Sequence, residues 1–153
     1  MVKLQGVAAA LAAASMLVSV PANAGSVNSA EKLRRLDIML MVTGLRCRTT
    51  ADNFEDDYDA FATNHLAELN AASNALKADY SERYGAQGAN RAIDRMSTVM
   101  ANAYGGGHPW LSCSELKTVA RNLAQALGSA PLEAPADQLL GESVAPQFAL
   151  AQR

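Results

Sequence analysis

Between Phe54 and Tyr84 the sequence repeats aromatic and apolar residues at helical steps, and this stripe constrains the fold more than any other feature. Phe54, Tyr58, Phe61, His65, Leu69, Leu76, Tyr80 and Tyr84 recur at intervals of three, four or seven. That spacing places them on one face of an α-helix. Glu55, Asp56, Asp59, Glu68 and Lys77 lie on the opposite face. The pattern predicts a helix over about 52–84, with Asp52 as cap and an acidic first turn suited to the positive end of the helix dipole. Gly85 and Gly88 then break it.

Three further segments carry the same period. The first runs from about Ser29, a capping residue type, to Arg48. Its stretch from Leu36 to Val42 is apolar almost all round, the mark of a helix covered on most sides. The next spans about Ala89 to Tyr104, with Ala89, Ile93, Met96, Met100 and Tyr104 inside, and ends at Gly105, Gly106 and Gly107. The last starts with a capping box, Ser112 with Glu115 three residues on, and carries the stripe Leu116, Val119, Leu123 and Leu127 up to Gly128. Half the residues are apolar but only 5% are aromatic, and alanine supplies much of that half. Such a composition favours helix over sheet. The expected fold is therefore all-α, a four-helix domain over 25–128. Pro131, Pro135 and Pro146 punctuate the remainder, 129–153, which reads as a flexible Pro/Ala-rich tail. Within it Leu139, Leu140, Val144, Phe148 and Leu150 would suffice for a short docking motif.

Residues 1–24 read as a signal peptide. Lys3 supplies a positive start, Val7 to Val20 is uncharged and mostly apolar, and Ala22-Asn23-Ala24 follows Pro21 as a small-x-small cleavage site. The run is shorter than the roughly 20 apolar residues of a membrane span, so no span is expected after cleavage. A leader of this kind is bacterial in type and gives a periplasmic or secreted product. Loss of Lys3 leaves 12 of the 13 basic residues against 15 acidic ones, a net charge of −3. That balance, with the basic residues dispersed, argues against a nucleic-acid partner.

Export decides how the two cysteines are read. In an oxidising compartment Cys47 and Cys113 are expected to pair, tying the end of the first helix to the first turn of the last. Neither lies in a CxxC, and no histidine has ligand spacing to either. No metal site or cofactor is called for: HxxxH, HExxH, GxSxG and GxGxxG are absent.

Two places remain for chemistry. The run Tyr104 to Cys113 gathers the only Trp, one of two histidines and a cysteine around a glycine turn. It is a candidate binding loop through Tyr104, His108 and Trp110, although the preferred reading packs Trp110 on the core ahead of the Ser112 cap. His65, on the apolar stripe, reads as a core residue with one hydrogen-bond partner. Met39, Met41, Met96 and Met100 are read as fillers of irregular core gaps rather than an adaptable groove.

The strings LRRLDIMLMVTGLRCRTTADNFEDDYDAF, HLAELNAA and YGGGHPWLSC resemble those of a group of short exported proteins of alphaproteobacteria, chiefly sphingomonad-like and without an assigned activity. The likeness covers about Leu33 to Leu127. Some of that group carry the name S-adenosyl-L-homocysteine hydrolase, an activity this chain does not support, being far too short and lacking a dinucleotide fingerprint. The favoured function is a protein-interaction or accessory protein of the cell envelope. The alternatives are a small metal- or His-dependent enzyme using His65 and His108, and a structural or stress-related envelope protein.

Overall fold

The computed structural model describes residues 22–141, with side chains from Val27 onward. The expected leader lies outside the described residues up to Pro21, as do Val144, Phe148 and Leu150 of the tail. Every regular element among the described residues is helical: α1 (Ala22–Cys47), α2 (Glu55–Asn64), α3 (Leu66–Tyr104), α4 (Cys113–Gln125) and α5 (Ala130–Leu140).

α1 is the hub, contacting each of the other four helices. Leu36, Ile38, Met39 and Leu40 are all buried in succession around Asp37, as the all-round apolar stretch implies. α3 covers α1 on both sides of a bend at Gly85, where φ 72° and ψ 168° leave the helical region. A side chain there would be strained at that φ. Gly88 matters for a different reason: a Cβ would lie 2.5 Å from the Tyr84 Cβ, so the chain after the bend requires a residue without one. Met39, Met96 and Met100 fill the core, whereas Met41 is 40% exposed.

Three expectations about the elements are corrected. The helix foreseen over 52–84 is two helices, because His65 adopts φ −107° and ψ 19° and redirects the chain between α2 and α3. Its amide still bonds to the Phe61 carbonyl and its carbonyl to the Leu69 amide, so the ladder crosses the corner. Asp52 is not the cap; the Asn53 side chain accepts the Glu55 amide instead. Ser29, expected to start the first helix, lies inside α1 and bonds Glu133 of α5.

The largest correction is the tail, whose first part is α5. Pro131 sits in the first turn, where a missing N–H costs nothing. Pro135 inside the helix removes one hydrogen bond. Against that loss, Leu132, Ala136, Leu139 and Leu140 are all buried. α5 is thus a helix the pattern did not foresee, and the segment foreseen as a separate helix from Ala89 to Tyr104 is instead the part of α3 beyond the Gly85 bend.

α4 begins as its sequence dictates. Ser112 Oγ accepts the Glu115 amide, and the Glu115 carboxylate accepts the Ser112 amide at 2.8 Å. Leu127 does not join the stripe; α4 stops at Gln125 and Leu127 is 88% exposed. Ser112→Ala is expected to lower unfolding free energy by about 1 kcal/mol, measured by urea denaturation. No change would mean that the first turn of α4 is held by the neighbouring disulfide alone. That bond joins Cys47 to Cys113 across a Cα separation of 5.7 Å, fastening the end of α1 to the start of α4.

Candidate functional site

The segment from Tyr104 to Ser112 turns inward and then outward. α3 ends at Tyr104, and the Gly107 amide bonds back to the Tyr104 carbonyl at 2.9 Å. Gly107 sits at φ 114°, a conformation open to glycine. Tyr104 and His108 are directed inward and buried. Their rings stack at 5.4 Å between centroids, and Trp110 meets His108 edge-on at 4.6 Å.

All three aromatic residues converge on the end of α5. The Tyr104 hydroxyl donates to the Leu140 carbonyl at 3.2 Å, and His108 Nε2 donates to the Leu139 carbonyl at 2.9 Å. These carbonyls belong to the last turn, which has no intrahelical donors left to meet them. Gly141, at φ 53°, then ends the helix, and a Cβ on it would meet the indole of Trp110 at 2.7 Å. Trp110 thus rests on bare glycine backbone with 52% of its surface in solvent. The expectation that it packs on the core is corrected: His108 takes the inward position, and the turn sends the indole to the rim.

His65 is the core residue with one partner that its position implied. It is 1% exposed, and Nε2 donates to the Leu123 carbonyl near the end of α4 at 2.8 Å. Asn64 Nδ2 donates to Ala124 at 2.9 Å beside it. The two histidines therefore serve ends of different helices, His65 that of α4 and His108 that of α5. In both rings Nδ1 is buried without a hydrogen-bond partner among the described residues. Because a carbonyl accepts only N–H, each neutral ring carries its proton on Nε2. Burial holds the His108 pKa below the ordinary imidazole range, a shift partly opposed by the Leu139 carbonyl. Burial raises that of Tyr104, with the charge of Arg35 acting in the opposite sense.

A polar brace between α1 and α2 escaped the sequence reading. Asp37, buried among apolar neighbours, accepts from Tyr58 Oη at 3.1 Å and from Arg34 Nη1 at 2.7 Å. Burial raises the Asp37 pKa against the lowering effects of Arg34 and the Tyr58 hydrogen bond. Tyr58 is raised too, by burial first and by the Asp37 charge second. The signal available was an Asp inside an otherwise apolar run, since a buried carboxylate requires donors. Likewise, the pattern Leu132, Ala136, Leu139, Leu140 followed by Gly141 announces a helix and its stop.

A shallow cleft of about 240 Å³ lies where Ser29, Ala30 and Leu33 of α1 face Ala71, Ala72 and Ala75 of α3. Among the described residues no group of three or more His, Cys, Asp or Glu side chains is placed to hold a metal ion, and no helix is long and apolar enough to cross a membrane. No protein-family model matches the chain, and neither the curated proteins nor the solved structures offer a match to it.

Proposed function

We propose that this chain is an exported protein of the bacterial envelope that works by binding another protein through the turn carrying Trp110. The observation that carries the reading is an indole half in solvent yet fixed in place, edge-on to His108 and against Gly141. Aromatic residues held rigid at a surface supply large contact area at little entropic cost, and they dominate binding energy where proteins meet. The turn is anchored at both ends, by the stacked Tyr104 and by Cys113 in the disulfide. Both imidazoles are engaged on helix ends, so the binding reading accounts for the polar groups of this region without a catalytic role. The leader, the cysteine pair and the likeness to short exported proteins support the envelope as the compartment.

The test uses the purified disulfide-bonded chain as bait in envelope extracts, with Trp110→Ala beside it. A specific partner held by the native chain is expected to bind the variant with at least about 30-fold lower affinity, the effect of losing a central anchor of about 2 kcal/mol. The variant's unfolding free energy should change by no more than about 0.5–1 kcal/mol, as for a surface position. Recovery of no specific partner, or equal binding by the variant, would refute the reading.

A further inference from the structure

Two of the five described helices finish on a histidine, but they are not held equally. α4 is covalently fixed at its start by Cys113, accepts from His65 and Asn64 at its end, and pairs Arg121 with Asp57 of α2 at 3.0 Å. α5 has no covalent tie. It rests on the Lys32–Asp137 ion pair at 2.7 Å, the Ser29–Glu133 hydrogen bond, its apolar face, and the bonds from Tyr104 and His108. We propose that α5 is an acid-releasable strap: protonation of His108 frees it from α1 while α4 remains docked, uncovering the apolar faces of both α1 and α5.

His108 Nε2 already donates to Leu139, so a second proton must go to Nδ1, which is buried and has no acceptor among the described residues. An imidazolium there would lie against the rings of Tyr104 and Trp110. A charged N–H without a partner is costly to bury. The ring relieves this by moving into water, and the Leu139 bond goes with it.

The charged groups on the surrounding elements are engaged elsewhere. On α1, Arg35 pairs with Glu31 and Lys32 with Asp137. On α5, Glu133 accepts from Ser29. At the start of α4, Glu115 is held in its capping box. On α3, Tyr104 stays protonated and donates to Leu140. Among the described residues, burial lowers the His108 pKa and the Leu139 carbonyl opposes it. The inference is independent of any partner at Trp110.

The sign follows from linkage. A histidine whose folded pKa is depressed contributes stability that is present above about 6.5 and is lost as pH falls through the folded value, because the released ring binds the proton first. Between those two values the released fraction is expected to rise by up to about tenfold per pH unit. Amide exchange of the intact disulfide-bonded chain, corrected for intrinsic rates between pH 7.5 and 4.5, should show that loss of protection over residues 130–140 and not over 113–125. Fluorescence of Trp110, the only tryptophan, should change over the same range. His108→Gln keeps an amide donor for Leu139 but does not titrate, and its α5 should hold protection through the range. The proposal is overturned if wild-type α5 is insensitive to pH, if α4 and α5 lose protection together, or if His108→Gln shows the same loss. Should that variant fail to fold, His65→Gln replaces it. The α5-specific acid response must then persist, and its disappearance overturns the assignment to His108.

Discussion

Reduction of the Cys47–Cys113 bond is expected to lower the unfolding free energy by about 4 kcal/mol. The bond closes a loop with a sequence separation of 66. On the chain-entropy view, such a loop removes about 4 kcal/mol worth of freedom from the unfolded ensemble. Total stability for a domain of this size is about 5–15 kcal/mol, so reduced protein should be marginal. Urea denaturation of oxidised and reduced chain, followed by Trp110 fluorescence, measures the difference. A difference below about 1 kcal/mol would show that the reduced chain retains the same closure without the bond. The loss should also be uneven. The end of α4 keeps its bonds to Asn64 and His65 when its start is cut loose, so exchange should appear first over the residues following Cys113.

Phe61→Ala is expected to cost about 3–5 kcal/mol, as for a fully buried aromatic ring. Phe61 is 0% exposed, and its ring packs 5.2 Å from that of His65 and 6.4 Å from that of Tyr58. It therefore supports both the His65 corner between α2 and α3, which holds the end of α4, and the brace to Asp37. The resulting cavity would loosen His65, and with it the α2–α4 contact. A midpoint shift in urea worth less than about 1.5 kcal/mol would mean that neighbouring side chains collapse into the space. In that case Phe61→Leu should cost nearly nothing, which a parallel measurement decides.

How legible each element was depended on how local its cause is. The start of α4 could be read outright, because Ser112 and Glu115 satisfy each other within one turn. The Cys47–Cys113 pairing followed from compartment and count. The break between α2 and α3 could not be read, since the stripe runs through His65 without interruption. The partner of the His65 ring at that corner is the Leu123 carbonyl, far along the sequence. α5 was hidden by its prolines, which are local breakers overridden by burial of Leu132, Ala136, Leu139 and Leu140. Of the binding loop, its location was visible and its orientation was not. Which of His108 and Trp110 turns inward is decided by the end of α5, a helix the pattern did not supply.

α1 touching every other helix has a consequence for the order of events in folding. The helix that all others need is the earliest in the described chain, and the last to be fully covered, because α5 completes its enclosure. Before the later helices form, buried residues of α1 such as Leu36, Met39 and Leu40 have nothing to pack against. Contacts that close over long sequence separations form slowly, and surface left bare in the interval favours association between chains. A chain that emerges from one end first therefore presents its stickiest segment longest. Its safe assembly depends on how quickly α3 packs over that segment.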